Sequence, residues 1–354
     1  MMNLLDGVKS ADIKITKEVR SLSESVKDQS LSMVDRIECF DDIISLEIGD
    51  TSLNRARNLE RELNIRQLYI KYEGENPSGT QKDRIAFAQV HDAFRREYPV
   101  ISLATCGNYG VAVAFAASLA GLECRIFIPE SYHTHRIKEM ENFNAKIIRL
   151  PGTYEDTVVE STRLAAENEW YDANPGGANT PLQISAYAGI AHEIYDQLHD
   201  APKCVAVPVS NGTLLAGVFR GFVSLYKRGK TSRIPMFIAG SAANKNPIIT
   251  SFKAGLEHCK DIDPRQVKET AINEPLINWH SFDGNEALYA LRRTAGEARH
   301  ISDKKMKEMS TFLHLKEGYR ILPASTAGLI ALLEKHGEEE FIHDRYVTIL
   351  TGRY

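Results

Sequence analysis

The sequence has no apolar run long enough to cross a bilayer and no excess of positive charge. A membrane-spanning helix needs roughly 20 consecutive apolar residues, and the 354-residue chain contains no such stretch. Its formal net charge is −4, so it lacks the basic surplus that nucleic acids and anionic membranes attract. We therefore expect neither a nucleic-acid nor a membrane partner.

Cysteine is scarce, and its spacing does not fit a zinc site. The five cysteines are odd in number and far apart, at Cys39, Cys106, Cys124, Cys204 and Cys259. No pair has CxxC spacing, and His133-x-His135 and His192-Glu193 lack the further ligands that a metal site needs. The segment from Met1 to Lys9 has no apolar core of the secretory type. The sequence thus predicts a reduced, cytoplasmic protein without a metal.

The chain does contain enough apolar material for a large core. Hydrophobic residues make up 43% of it and charged residues 25%, which is close to average for soluble globular proteins. Its length exceeds the usual size of one domain, so either one large domain or two closely packed ones are expected.

Short strands alternate with helical segments along most of the chain, which predicts an α/β fold with parallel sheets. The predicted strands are 68–72, 100–104, 125–129, 146–150, 204–209, 236–239 and 346–350. The predicted helices are 82–94, 111–119, 137–143, 188–198, 214–226 and 326–335. We expect a two-lobed architecture with twisted, mostly parallel sheets flanked by helices.

The N-terminal part differs in composition from the rest. Residues 1–44 are charged and nearly free of glycine and proline, which favours a helical extension. This extension either packs on a partner subunit or forms a simple surface helix. The two predicted lobes follow it, at 45–192 and 193–354.

The densest chemical signal is the turn at Asn76-Pro77-Ser78-Gly79, which is followed by Lys82. Asn-Pro and Ser-Gly favour a turn, and Lys82 then starts a helix, where unpaired N–H groups make the local potential positive. A lysine held there tends towards its neutral amine, the form that condenses with an aldehyde. A P-loop would need the lysine directly after Gly79, but Thr80-Gln81 intervene. The alternative is an ordinary turn with a surface lysine.

Two further loops have the character of ligand-binding segments. Thr105–Gly110 lies between a predicted strand and an alanine-rich helix, where α/β sheets commonly bind ligands. Ser210–Leu214 leads from a strand into a helix, and backbone N–H groups at such a helix N-terminus can hold a phosphate. Neither loop has GxGxxG spacing, so a nicotinamide dinucleotide is not favoured.

Together these segments resemble the fold-type II pyridoxal 5′-phosphate (PLP) enzymes, the tryptophan synthase β superfamily, and within it the threonine synthase-like branch. Gly49–Leu53 resembles the family's Gly-x-Thr-Pro-Leu, and Asn76–Arg84 resembles its Asn-Pro-Thr-Gly-Ser-Phe-Lys-Asp-Arg. Thr105–Gly110 is similar to its Ser-x-Gly-Asn-x-Gly loop, and Ser210–Thr213 falls at its phosphate loop. Val347–Gly352 is similar to its closing Leu-Thr-Gly.

The resemblance implies a role for each of these residues. Lys82 carries PLP as a Schiff base and moves protons during catalysis. The resemblance also implies that Asn108 contacts the ring hydroxyl of the cofactor and that Thr351 contacts its pyridine nitrogen. The implied contacts to the cofactor phosphate are Ser210, Asn211, Gly212, Thr213 and Leu214. The implied substrate-binding residues are Thr105, Cys106, Gly107, Asn108 and Tyr109. The lysine and the substrate loop thus belong to the lobe at 45–192, and the phosphate loop and the pyridine contact to the lobe at 193–354.

Three departures from the family bear on the substrate. Threonine synthases carry Arg-x-Glu-Gly-Gln-Lys-Thr at the position of 183–189, where this chain has Gln183 for the arginine and Ala188 for the lysine. Two cations for a substrate phosphate are therefore missing, unless Arg84 or Lys245 replaces them. Leu322 stands where the family has the glutamate of a Glu-Pro pair. The chain stops soon after Gly352, and we expect the 1–44 extension or a second subunit to cover that edge.

The expected function follows from these motifs and departures. We expect a homodimer that performs PLP-dependent β- or γ-elimination or replacement on a small polar amino acid, because a neutral hydroxyl such as that of Thr351 favours departure of a substituent over transamination. A true threonine synthase acting on O-phosphohomoserine is one alternative. A β-replacement enzyme of the cysteine or cysteate synthase kind and a threonine or serine dehydratase are others. A PLP-binding protein without turnover is the non-enzyme alternative.

Overall fold

The computed structural model describes residues 13–105, 107–132, 134, 136–339 and 344–354. Three sequence expectations lie outside the described residues: the substrate contact of Cys106, the first twelve residues of the N-terminal extension, and the His133-x-His135 pair. The chain divides into two compact units. Unit 1 consists of Asp50–Glu75 and Ile184–Tyr354, and unit 2 of the described part of Asp6–Gly49 with Asn76–Gln183.

Helices and strands alternate through most of the described residues. The helices are α1 (Lys17–Lys27), α2 (Met33–Glu47), α3 (Arg57–Leu63), α4 (Lys82–Arg95), α5 (Asn108–Ala120), α6 (Arg136–Asn142), α7 (Tyr154–Glu167), α8 (Thr180–Leu198), α9 (Thr213–Lys227), α10 (Pro247–Lys253), α11 (Gly284–Arg293), α12 (Asp303–Glu317) and α13 (Ala327–Glu338). The strands are β1 (Leu53–Arg55), β2 (Leu68–Tyr72), β3 (Val100–Ala104), β4 (Glu123–Pro129), β5 (Lys146–Leu150), β6 (Tyr171–Asp172), β7 (Cys204–Pro208), β8 (Met236–Ala242), β9 (Glu297–Ile301) and β10 (Tyr346–Leu350). No described helix combines the length and the apolar character needed to cross a membrane.

The described part of the N-terminal extension forms two helices that pack within unit 2. α1 and α2 begin at side-chain caps, Thr16 and Ser32, which satisfy N–H groups that lack an intrahelical partner. Ser23 of α1 donates a hydrogen bond to the carbonyl of Leu119 in α5, at 2.9 Å. The buried ring of Phe40 in α2 stacks on Phe87 of α4, with 6.1 Å between ring centroids. These two helices therefore cover part of the core of unit 2. Their contact with a partner subunit stays a prediction.

Unit 2 contains a parallel sheet with the strand order β5-β4-β3-β6. All five residues of β3 are buried, as is typical of a parallel strand that is covered on both faces. α5 follows β3 and is buried along most of its length. It ends at Gly121, whose positive φ of 74° forms a left-handed cap. Because α5 follows β3, the predicted substrate loop lies between the carboxyl end of β3 and the start of α5.

Unit 1 contains a second sheet with the strand order β1-β2-β10-β7-β8-β9. β1 and β2 are antiparallel, and every other neighbouring pair is parallel. β10, the last strand, lies between β2 and β7, so that Tyr346 pairs with both Leu68 and Cys204. Carboxyl ends of parallel neighbours meet at one edge of a sheet, which is where α/β folds bind ligands. The predicted fold with mostly parallel sheets is confirmed.

Candidate active site

Lys82 is the first residue of α4, and the turn before it is held by its own groups. Gly79 adopts a positive φ of 84° and donates its N–H to the carbonyl of Asn76, at 2.8 Å. The carboxylate of Asp83 accepts a hydrogen bond from the N–H of Ser78, at 2.8 Å. These two hydrogen bonds hold the turn, so the backbone of Lys82 has a defined position at the helix N-terminus, as the motif predicts.

The side chain of Lys82 lies over the ring of Tyr109, with its Nζ 5.7 Å from the ring centroid. That ring is fixed through its hydroxyl, which accepts a hydrogen bond from Gln89 Nε2 at 2.7 Å and donates one to the carbonyl of Ala173 at 2.9 Å. Gln89 is fully buried. Unit 2 therefore brings together the predicted catalytic lysine and a predicted substrate-loop residue.

The described residues of the substrate loop lie between β3 and α5. The N–H of Thr105 donates to the carbonyl of Phe127, at 3.1 Å, and the Thr105 hydroxyl accepts from the N–H of Gly107, at 3.3 Å. α5 begins at Asn108, and Gly107 at its N-cap has no side chain that could accept a hydrogen bond from the first N–H groups of the helix. A Cβ at Gly107 would meet nothing within 4 Å. The loop thus presents donors beside open space.

Asn174 anchors the base of this loop and was not predicted from the sequence. It follows β6, the strand next to β3, and its side chain is buried. Its Oδ1 accepts a hydrogen bond from the N–H of Ala104 at 2.7 Å, and its Nδ2 donates to Ser161 Oγ at 2.6 Å. The one local sign of its role is the dipeptide Asn174-Pro175, a turn signal.

The predicted phosphate loop in unit 1 joins β7 to α9. Gly212 has a positive φ of 98°, and a Cβ there would lie 2.8 Å from Ala287 Cβ and 2.9 Å from the carbonyl oxygen of Asp283, so only glycine fits. Gly212 precedes α9 without a side-chain cap. The N–H groups of Thr213 and Leu214 therefore have no intrahelical or capping acceptor, and such groups attract an anion.

The polar side chains of this loop divide into two kinds. Ser210 Oγ and Asn211 Nδ2 are half-buried and form no hydrogen bond with any described residue. The Thr213 hydroxyl instead donates to the carboxylate of Asp283. Ser210 and Asn211 are thus available to a ligand, whereas Thr213 contributes its backbone N–H group.

Thr351 directly follows β10, at the same edge of the sheet as the phosphate loop that follows β7. Its hydroxyl lies 2.9 Å from that of Ser325, which is buried and was not predicted as a site residue. The N–H of Leu322 donates to the carbonyl of Gly352 at 3.3 Å, and the Leu322 side chain is buried. Unit 1 therefore places the predicted phosphate and pyridine contacts on neighbouring strands.

A buried ion pair supports the start of unit 1. Lys71 Nζ in β2 lies 2.6 Å from Glu193 Oε2 in α8 and also donates to the carbonyl of Thr51. The Thr51 hydroxyl donates to Glu73 Oε1 at 2.8 Å. The threonine of the Gly49–Leu53 motif therefore has a structural role, since it holds the segment that follows β2.

These residues fit the cofactor that the sequence resemblance implies. An aldehyde requires an amine, which Lys82 supplies, and a phosphate requires N–H and hydroxyl donors, which the Ser210–Leu214 loop supplies. The buried Ser78 Oγ, in the turn before Lys82, has no hydrogen-bond partner among the described residues. Buried polar atoms are normally paired, so this hydroxyl is consistent with a ligand nearby.

Comparison with known proteins points to one family. A family model described as pyridoxal-phosphate dependent enzyme matches residues 44–352. The chain is 32% identical to the threonine synthase of Methanocaldococcus jannaschii over 314 residues, which cover 88% of this chain and 76% of that protein. It is 31% identical to the threonine synthase of a Bacillus species over 318 residues, which cover 87% and 84% of the two proteins.

The fold is also shared with solved structures of lower sequence identity. Maize serine racemase matches with a TM-score of 0.73 at 19% identity and covers 90% of this chain and 92% of that one. The processed form of threonine deaminase isoform 2 from Solanum lycopersicum matches with a TM-score of 0.71 at 15% identity, covering 90% of this chain and 90% of that one.

Proposed function

The chain belongs to the family of pyridoxal-phosphate dependent enzymes, and we propose that it catalyses elimination or replacement on a small polar amino acid with Lys82 as its catalytic residue. The observation that carries this proposal is the placement of Lys82 at the start of α4, with its Nζ over the fixed ring of Tyr109. This arrangement gives the lysine a defined position beside the loop that is proposed to bind the substrate.

The remaining roles divide between the two units. In unit 2, Asn108 binds the cofactor ring, and backbone N–H groups at the start of α5 bind the substrate carboxylate. In unit 1, Ser210, Asn211 and the N-terminus of α9 hold the cofactor phosphate. The bound cofactor supplies the electron sink for the reaction. With the cofactor bound, the Lys82 amine would accept the substrate's α-proton and would later return a proton.

Thr351 supports elimination or replacement rather than transamination. A neutral hydroxyl opposite a pyridine nitrogen leaves that nitrogen largely unprotonated, which weakens the electron sink. The hydroxyl of Ser325, 2.9 Å away, fixes the rotamer of Thr351. Departure of a β or γ substituent is then favoured.

We further propose that the substrate has an uncharged side chain, such as that of serine, threonine or O-acetylserine. Gln183 stands at the arginine position of threonine synthases, is buried, and donates its Nε2 to the carbonyl of Asn174 at 3.1 Å. Lys245, one possible replacement for the missing cation, donates its Nζ to the carbonyl of Lys268 at 2.6 Å. Neither residue offers the bidentate, cationic contact that an arginine gives to a substrate phosphate.

Threonine synthase activity is the second candidate. It is favoured by the identity of 31% to 32% to two threonine synthases along most of the chain. Arg84 is the residue of α4 that this alternative would need as a cationic phosphate ligand, because Gln183 carries no charge.

One experiment separates these functions. The purified holoenzyme is mixed with serine, threonine, O-acetylserine, O-phosphoserine or O-phosphohomoserine, and spectral change and product release are followed. We expect turnover with an uncharged substrate and little with the phosphorylated ones. Turnover of O-phosphohomoserine alone would instead identify a threonine synthase, and binding without any turnover would leave a non-catalytic PLP protein.

The role of Lys82 is tested in parallel. The Lys82→Ala variant should lose turnover and the visible absorption band of the lysine-bound cofactor, because no other amine is proposed to hold it. Lys304→Ala is the matched control, since Lys304 is 84% exposed. If the band persisted in the Lys82→Ala variant, another residue would carry the cofactor.

We also infer that the protein is a cytoplasmic homodimer. Val34 and Leu46 of α2 are 64% and 51% exposed, and their burial against a second copy of the chain would remove apolar surface from water. The buried thiols of Cys124 and Cys204 are unpaired, which is typical of a reducing compartment. Light scattering coupled to size exclusion tests the dimer, and cell fractionation tests the compartment.

A further inference from the structure

A row of three asparagine side chains leads from the start of α10 to the phosphate loop of unit 1. Asn246 and Asn278 are buried, and Asn211 is half-buried within the loop. Each amide has an oxygen that only accepts hydrogen bonds and an NH2 group that only donates them. Because the two ends have nearly the same shape, their partners decide which way each amide faces.

The orientation of the three amide groups is fixed at Asn246. Its Oδ1 accepts hydrogen bonds from the N–H groups of Ile248 and Ile249, at 3.0 and 3.3 Å. Backbone N–H groups can only donate, so the oxygen of Asn246 must face them. Its Nδ2 then faces the other way, where it donates to the carbonyl of Ser210 at 3.0 Å and lies 3.2 Å from Asn278 Oδ1.

Asn278 in turn fixes the orientation of the Asn211 amide in the loop. Since its oxygen faces Asn246, its Nδ2 faces Asn211 and donates to Asn211 Oδ1 at 2.8 Å. Asn211 must therefore present its oxygen to Asn278 and its NH2 group to the opposite side. That NH2 group forms no hydrogen bond with any described residue.

We propose that Asn246 and Asn278 are positioning residues that turn the NH2 group of Asn211 towards the cofactor phosphate. This inference rests on the proposed function, in which the Ser210–Leu214 loop binds that phosphate. A reversed Asn211 would place a carbonyl oxygen against an anion and would lose a charge-assisted hydrogen bond. Neither positioning residue touches the phosphate.

The decisive variant is Asn278→Asp. The carboxylate keeps an oxygen towards Asn246 but replaces the NH2 group by a second oxygen, which can only accept. Asn211 then turns its own NH2 group towards position 278 and its oxygen towards the phosphate. Loss of a hydrogen bond to a charged group should weaken PLP binding on the order of 10- to 100-fold. Pyridoxal, which has no phosphate, should bind about as well as it does to the wild type.

Three controls accompany this variant. Asn285→Asp adds the same charge in α11. Asn285 Oδ1 accepts from the N–H of Cys259 at 2.8 Å, and an aspartate oxygen can still accept this hydrogen bond, so the variant shows the effect of the added charge alone. Asn278→Ala removes the donor without adding charge and should give the same pattern with a smaller loss, so a folding defect of the aspartate variant does not end the test. Thermal unfolding of each holoenzyme reports on folding.

A double-mutant cycle separates positioning from general support of the fold. In an Asn211→Ala background, Asn278→Asp should leave the ratio of the PLP and pyridoxal dissociation constants unchanged, because Asn278 acts through Asn211. A general structural role predicts instead that both ligands weaken together and that the two exchanges add. That result would overturn the inference.

The experiment also distinguishes this inference from the proposed function. If the wild type bound pyridoxal as tightly as PLP, the loop would not be the phosphate site, and both proposals for it would fail. If the wild type preferred PLP but Asn278→Asp kept that preference, only the role of the asparagine row would be refuted.

Discussion

Asn174 is expected to be among the most sensitive non-catalytic positions of unit 2. Its Oδ1 is the acceptor for the N–H of Ala104, and its Nδ2 is a donor to Ser161 Oγ. Both partners are fully buried, so neither gains a water molecule when the amide is removed. A buried polar group left without a partner costs about 1–3 kcal/mol. Asn174→Ala should therefore lower the free energy of unfolding by roughly 2–5 kcal/mol.

The effect should reach the substrate, because Ala104 directly precedes Thr105 in the substrate loop. Small displacements of substrate-binding groups cost catalysis heavily, so we expect kcat/KM to fall on the order of 10-fold or more. PLP affinity should change much less, since the proposed phosphate contacts belong to unit 1. Denaturant unfolding, steady-state kinetics and a PLP titration measure the three quantities.

A matched exchange tests the reasoning. Asn168 also donates from its Nδ2, to the carbonyl of Leu164 at 2.8 Å, but it is exposed. Asn168→Ala should cost about 0.5 kcal/mol or less, as is usual for a surface substitution. If Asn174→Ala destabilised the protein no more than Asn168→Ala, the hydrogen bonds of Asn174 would not anchor the loop.

Two further predictions concern unit 1. Gly212→Ala should abolish measurable PLP binding, because the new Cβ would lie 2.9 Å from the carbonyl oxygen of Asp283 at a φ of 98°. Gly229→Ala is the control: its φ is 66° and the space around it is open, so it should lower the free energy of unfolding only by the backbone strain of about 1–2 kcal/mol. A PLP titration and denaturant unfolding compare the two variants. Burial, and then the charge of Lys253, lower the pKa of His300. The unfolded chain consequently binds more protons than the folded one below pH 6.5, so stability should fall as the pH drops from about 6.5 towards the lower folded value. The His300→Gln variant should show a smaller slope of unfolding free energy against pH in this range, and an unchanged slope would contradict the assignment.

The strands were predictable because each is a short apolar run that ends in a polar loop. The bounds of β2, β3, β5 and β10 are those expected from the sequence. Several helices of the second half were not predicted, and α12 shows why. It buries only Met306 and Leu313 within a charged segment, which is too sparse an apolar stripe to indicate a helix. α7 did carry a local sign, the capping box of Thr153 and Asp156.

The site residues follow a similar division. Lys82 and the loops at Thr105 and Ser210 stand in local motifs, where turn residues and a helix start lie next to one another in the sequence. Asn174 and Asn278 act on groups 70 and 67 positions away. The dipeptide Asn174-Pro175 indicates a turn, but it does not show which group Asn174 binds, because that depends on which strands become neighbours after folding.

The link between Gln183 and Asn174 connects the missing cation with the substrate loop. Gln183 does more than lack the charge of an arginine: its Nε2 donates to the carbonyl of Asn174, whose side chain holds the base of the substrate loop. The position is buried, so a guanidinium there would lose its contact with water and would need several acceptors in return. The exchange of arginine for glutamine therefore removes a phosphate ligand and supports the loop at the same time. This pairing supports the proposed preference for a substrate with an uncharged side chain.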